Sequence, residues 1–268
     1  MSDTTTSPVS AAPAATVLLL RDGAQGLEVL MVVRHHEIDF ARGAAVFPGG
    51  KVSPADSDVR WRSRCTGQAS LDDGQRALRI AAVRETFEEC GLLLARRGGR
   101  LVDGDGRQAI RERWHACVVA DASAFVDLAV EEKLEPALDL MLPFAHWVTP
   151  TVSPKRFDTH FFVAAAPPGQ VAVHDGSEAV DSFWTPPSAA MQQCERRERI
   201  IIYPTLCNLA LLACSASAGE ALAAAGARPV QRLQPTLARR ADGKTIPVLP
   251  DDSGYPALSP GLMDIVAR

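Results

Sequence analysis

An α/β fold is what the sequence predicts, and three observations carry that expectation. β-rich runs open the chain as a pair around a Gly-bearing turn, and a stretch with apolar residues every three or four positions follows. Short strand-like runs then return before two further helical segments and a Pro- and Gly-rich end.

Taken in order, residues 16–20 and 27–33 are rich in Val, Leu and Thr and are separated by Arg-Asp-Gly-Ala-Gln-Gly, which predicts a hairpin. Residues 44–47 predict another short strand, ending at Pro48-Gly49-Gly50. Residues 51–75 are polar and aperiodic and predict a loop. Over 78–94, Ile80, Val83 and Phe87 recur at helical steps, and Gly91 marks the end of the regular part. Helical signal continues at 109–119 and 122–132, with Pro136 as a break. Strands are expected at 145–148, 159–164 and 179–184, and helices at 186–197 and 205–225. From about residue 228 the chain reads as an irregular tail that holds a hairpin. No internal repeat is visible.

Composition narrows the function classes. Apolar residues make up 47% and charged residues 22%, with a formal net charge of −4, so a duplex-binding basic face is not expected and neither is a disordered chain. Cys65, Cys90, Cys117, Cys194, Cys207 and Cys214 show no CxxC pair, which argues against a zinc knuckle or a secreted disulfide framework and fits a cytoplasmic setting. The Ser/Thr/Ala/Pro-rich start, residues 1–15, reads as a flexible tail rather than a signal peptide. Residues 206–214 form one of the longest apolar stretches, interrupted by Asn208 and short of the ~20 residues a bilayer needs, so no membrane span is expected.

The chemistry lies in Arg84-Glu85-Thr86-Phe87-Glu88-Glu89-Cys90-Gly91-Leu92. On a helix, Glu85, Glu88 and Glu89 stand at i, i+3 and i+4 and share one face. Acids on a helix are usually a solvated face. Three carboxylates this close repel one another, however, and a hard dication that prefers oxygen ligands relieves that repulsion, which points to Mg²⁺ or Mn²⁺. Arg84 beside them has the fork geometry to hold a carboxylate through two bonds.

This stretch resembles the core of the Nudix box. The box runs Gly, five residues, Glu, seven residues, Arg-Glu, an aliphatic, any residue, Glu-Glu, any residue, Gly, an aliphatic. Arg84, Glu85, Glu88, Glu89, Gly91 and Leu92 fill their slots, and Thr86 departs at the aliphatic one. Upstream, Gly50 and Asp56 match the opening with Asp in place of Glu, which leaves residues 57–76 as an insertion inside the box. A box interrupted at this point resembles the coenzyme A diphosphatase-like branch of the family. Phe47-Pro48-Gly49-Gly50, the run Arg156-Phe157-Asp158-Thr159-His160-Phe161-Phe162, then Asp175-Gly176-Ser177-Glu178 and Trp184 extend the resemblance over roughly residues 16–190.

What the resemblance implies is a Nudix-type α/β/α sandwich with a mixed, curved sheet over 16–190. Residues 191–268 would then be a C-terminal helix and irregular tail packed on it, a surface for a homodimer. The Gly50 carbonyl with Glu85, Glu88 and Glu89 would hold Mg²⁺ or Mn²⁺, and Glu85, Glu88 and a later acid, Glu178, would carry the catalytic proton chemistry. Arg34 and Arg42 would contact substrate phosphates, while Arg84 and Gly91 would be structural in the motif. The implied activity is hydrolysis of a diphosphate in a nucleotide-like small molecule, coenzyme A or an acyl-coenzyme A first. ADP-ribose or a nucleoside diphosphate sugar is the alternative, and a non-catalytic nucleotide-binding regulator a third reading that the three intact glutamates disfavour. His35, His36, His115, His146, His160 and His174 show no ligand spacing and read as structural or surface residues. Trp147, Trp184, Phe157 and Phe161 read as core, and Glu195-Arg196-Arg197-Glu198-Arg199 as a solvated helix face.

Overall fold

The computed structural model describes residues 9–36, 41–65 and 71–267. Strands β1 (Ala12–Gly23) and β2 (Gly26–Arg34) form the expected antiparallel hairpin, closed by Gly23 opposite Gly26. β1 begins four residues before the alternation predicts, because residues 12–15 pair with β9 rather than continuing a tail. Two short strands follow, β3 (Ala45–Val46) on β2 and β4 (Gly49–Lys51) on β1.

The segment read as a plain loop is partly ordered into 3-10 turns at Pro54–Ser57 and Val59–Ser63. The box helix α1 (Asp73–Cys90) starts inside the expected insertion. Asp72 caps it by accepting from the Gln75 amide at 2.7 Å, and its last turn closes on Gly91 in the left-handed region at φ 63°.

A small sheet of β5 (Ala95–Arg97), β6 (Arg100–Leu101) and β7 (Leu134–Pro136) brackets helices α2 (Gly104–Ala120) and α3 (Ala124–Glu131). Runs of two or three residues leave no period to read, so the sequence does not announce this sheet. The main sheet is completed by β8 (Leu142–Val148), β9 (Phe157–Ala165) and β10 (Ala179–Thr185). Beyond α4 (Pro187–Glu195), the single helix expected over 205–225 is two, α5 (Tyr203–Leu212) and α6 (Ala218–Ala227), broken at Ser215-Ala216-Ser217, where the Ser217 hydroxyl caps α6. The chain ends with β11 (Arg232–Leu233), the hairpin β12 (Thr236–Arg239) and β13 (Thr245–Val248), and α7 (Pro260–Val266).

The main sheet runs β10-β2-β1-β9-β8-β11 and is mixed: β1 with β9 and β8 with β11 are parallel, the other neighbours along this path antiparallel. Its period-2 alternation feeds two cores. Ala15, Val17, Leu19, Leu30 and Val32 face Ile80, Val83 and Phe87 of α1 with Phe125 and Leu128 of α3. Leu18, Leu20, Val29 and Met31 face Ala190 of α4, Leu206 and Leu209 of α5 and Ala221 of α6. Helices therefore cover both faces, the three-layer sandwich the resemblance implies. Among the described residues no helix is long and apolar enough to cross a membrane.

Candidate active site

The apolar stripe of α1 turns Ile80, Val83 and Phe87 into the core, and that fixes which way its acids point. Glu85, Glu88 and Glu89 come together where α1 passes the β3–β4 loop. The Gly49 amide donates to Glu89 Oε2 at 2.9 Å. At Gly50 a Cβ would stand 2.5 Å from the Glu85 carboxylate, so only glycine lets the main chain approach the acid this closely.

Arg84 organises the cluster from below. Its Nε and Nη2 donate to the two Asp56 oxygens at 2.8 and 2.9 Å, both side chains being buried. Nη1 donates to Glu85 Oε1 at 2.9 Å and Glu88 Oε1 at 3.0 Å, and Nη2 also donates to the Lys51 carbonyl at 3.0 Å. One guanidinium thereby ties the two halves of the interrupted motif together. Asp56, in the slot of the box glutamate, also accepts from the Ser53 amide at 2.7 Å, so the shorter acid is reached by a local 3-10 turn. Burial works against the Arg84 charge, but its bonds to Asp56 and the Glu85 charge hold it firmly protonated.

Electrostatics mark the cluster as short of positive charge. Burial pushes the Glu85 carboxyl up against the pull of Arg84, and it pushes Glu88 up to about 7. Glu89 is raised well above the usual carboxylate range by burial first and the Glu85 charge second. The charge of Glu178 raises all three, which places that residue in electrostatic reach of the cluster. Glu178 is exposed on a turn in which the Ser177, Glu178 and Ala179 amides all donate to Asp175. Arg34 is drawn in rather than solvated: its Nη1 lies 3.8 Å from Glu89 Oε1, and its buried Nε has no partner among the described residues. Arg42 is exposed on the turn before β3.

A profile of the NUDT19 Nudix domain matches residues 66–212, more than half of the chain. The chain belongs to the Nudix hydrolase family. This Nudix hydrolase is 27% identical over 273 residues to the acyl-coenzyme A diphosphatase NUDT19 of Xenopus laevis, covering 85% of this chain and 71% of that one. To the human protein of the same name it is 26% identical over 279 residues, covering 87% and 73%. A crystal structure of a Nudix hydrolase from Alicyclobacillus acidocaldarius superposes with a TM-score of 0.72 at 29% identity, over 82% of this chain and 99% of that one. The chain is thus a Nudix pyrophosphohydrolase, with the resemblance to the coenzyme A diphosphatase-like branch shared by its relatives.

Two groupings escaped the sequence. Arg196–Arg199 is not a helix face, since α4 ends at Glu195; Arg197, Glu198 and Arg199 instead line a cavity of about 340 Å³ with Val33, Ala45 and Ile200, one residue along the chain from Arg34. His146 and His160, which show no ligand spacing in the chain, meet Asp158 across β8 and β9. The pair Asp158 and His160, two apart on one strand face, was the available signal; the register that brings His146 opposite was not.

Proposed function

We propose that this hydrolase cleaves the diphosphate of coenzyme A or an acyl-coenzyme A, giving a 3',5'-ADP-type fragment and a phosphopantetheine fragment. The observation that carries the site is a charge imbalance: Glu85, Glu88, Glu89, Asp56 and Glu178 gather, among the described residues, around two guanidiniums, Arg84 and Arg34. The substrate class is supported by relatives named for acyl-coenzyme A that cover most of the chain.

The donor set fits a hard dication. Glu85, Glu88 and Glu89 offer carboxylate oxygens whose pKa values burial raises despite Arg84 and Arg34, and the bare Gly50 backbone abuts one of them. These residues would hold Mg²⁺ or Mn²⁺, which supplies charge neutralisation at a diphosphate and a lower pKa for bound water. Arg84 keeps Glu85 and Glu88 in one orientation, so the cluster needs little rearrangement to act. Glu178, exposed on a turn whose amides donate to Asp175, would take a proton from an attacking water, as Glu85 or Glu88 could. Arg34 restrains Glu89 and presents its remaining donors toward the substrate phosphates. Arg42, on the exposed turn before β3, would add a second cation to those phosphates.

The test is a turnover screen with Mg²⁺ or Mn²⁺ over coenzyme A, an acyl-coenzyme A, ADP-ribose, dinucleoside polyphosphates and oxidised nucleotides. Coenzyme A species are expected to give the highest kcat/KM, and Glu89→Gln to lose about 10²-fold or more, the scale of a few kcal/mol of transition-state charge stabilisation. Preference for ADP-ribose would overturn the substrate, and full turnover by Glu89→Gln would overturn the site.

A further inference from the structure

We propose a second metal site, for a borderline dication of the Zn²⁺ class, built from His146, Asp158 and His160 on the face of β8 and β9 that looks toward α1. The three offer one ligand atom each within 4.8 Å of one another. Their placement follows from strand geometry. His146 and His160 are direct cross-strand partners, and Asp158 lies two residues from His160 on the same face. That face is set by Ala15, the register partner of His160, and by Phe162 two residues on, both of which pack in the core that α1 covers.

The chemistry of the trio suits a metal better than it suits an ion pair alone. His146 Nε2 lies 2.5 Å from Asp158 Oδ1, while the His160 ring is stacked on that of His146 with centroids 3.9 Å apart. Two imidazoles and one carboxylate favour Zn²⁺ and its neighbours over the all-oxygen preference of Mg²⁺, so this site and the glutamate cluster would draw different ions. Chelation would replace the hydrogen bond between His146 and Asp158 and turn one ring out of the stack about its Cβ–Cγ bond, a broad torsion. Arg232, 3.6 Å from the other Asp158 oxygen and more than half exposed, is the competing cation, and Arg79 flanks the site over Phe162.

The site is separate from the glutamates. Ala15 of β1 pairs with Gly50 on one side and His160 on the other, two strand spacings or roughly 10 Å between the backbone positions. An ion here would cross-link β8 to β9.

The experiment is equilibrium dialysis of the full chain carrying Glu88→Gln and Glu89→Gln against Zn²⁺, with zinc counted by mass spectrometry and Tm measured in parallel. That background keeps the outcome independent of the diphosphate reading. One zinc per chain and a raised Tm are expected. Adding His146→Gln and His160→Gln, or Asp158→Asn alone, should weaken retention at least tenfold, whereas Arg232→Gln should tighten it severalfold. Where the histidine variant does not unfold cooperatively in EDTA, imidazole NMR of the parent chain decides: zinc should shift two histidine rings. No retained zinc, retention unaltered by the ligand variants, or unshifted rings would overturn the proposal.

Discussion

Glu88 stands at the rim of the glutamate cluster, tied to Arg84 at 3.0 Å, and burial pushes its carboxyl up to about 7 from an ordinary 4.5. Between those values the folded chain binds more protons at Glu88 than the unfolded chain does, so stability falls as pH rises through the window. Above pH 7 the whole cost is present. At about 1.4 kcal/mol per pH unit of separation the cost is at most about 3.5 kcal/mol, and allowing for the weakened bond to Arg84, Glu88→Gln should recover about 2 kcal/mol. For a chain of this size that corresponds to a Tm higher by roughly 4–8 °C. Thermal unfolding in EDTA should show the gain at pH 8 and its loss near pH 4.5, while the same variant loses turnover. With saturating Mg²⁺ the order should reverse, because an ion that binds the folded site selectively stabilises the parent protein. A variant no more stable than the parent at pH 8 in EDTA, or a gain that does not depend on pH, would refute the claim that burial holds this acid at a cost to folding.

Asp56→Asn should cost about 3 kcal/mol, because it removes one partner of a buried bidentate pair, and a denaturation curve that moves by less than a tenth of that would dismiss Asp56 as the anchor of Arg84. Gly50→Ala drives a methyl into the Glu85 carboxylate; a roughly 10²-fold drop in kcat with little change in fold is expected, checked by steady-state kinetics beside circular dichroism. His160 is lowered to about 4 by burial, so the unfolded state binds the extra proton between pH 6.5 and 4 and stability is lost as pH falls through that range. The ring is partly exposed, which limits the effect to about 1 kcal/mol, and His160→Gln should flatten the acid limb of the stability profile by that amount.

How much of this was legible in the sequence depended on the range of the physics involved. β1, β2, α1 and the strands from β8 to β10 carry clear periods, because one or both faces are buried against a layer, and they stand within a few residues of the expected places. The shared face of Glu85, Glu88 and Glu89 was equally readable, since helical spacing alone brings them together. What could not be read was set by register and turn chemistry. The cap at Ser217 split a stretch read as one helix, and the pairing of β5 with β7 joins residues about 40 apart with no local signature. Arg34, expected from the resemblance to contact substrate phosphates, also lies against Glu89, a contact that depends on the end of β2 meeting the end of α1.

The interrupted box raises the question of how a motif tolerates an insertion between residues that must touch. Asp56 and Arg84 are 28 positions apart, whereas the uninterrupted spacing is eight. Loop closure grows only logarithmically, so the longer connection costs about 1 kcal/mol more. The insertion offsets this with its own anchor. Trp61 is 1% exposed, donates from Nε1 to the Ala55 carbonyl at 3.0 Å and packs its ring 5.6 Å from that of Phe125 in α3. Burying one large aromatic ring contributes about 2–3 kcal/mol, enough to cover the longer loop. Because Ala55 adjoins Asp56, the same indole also fixes the turn that presents the carboxylate to Arg84. The inserted residues thus support the motif they interrupt, and the orientation of Glu85 and Glu88 rests through Arg84 on a tryptophan outside the motif altogether.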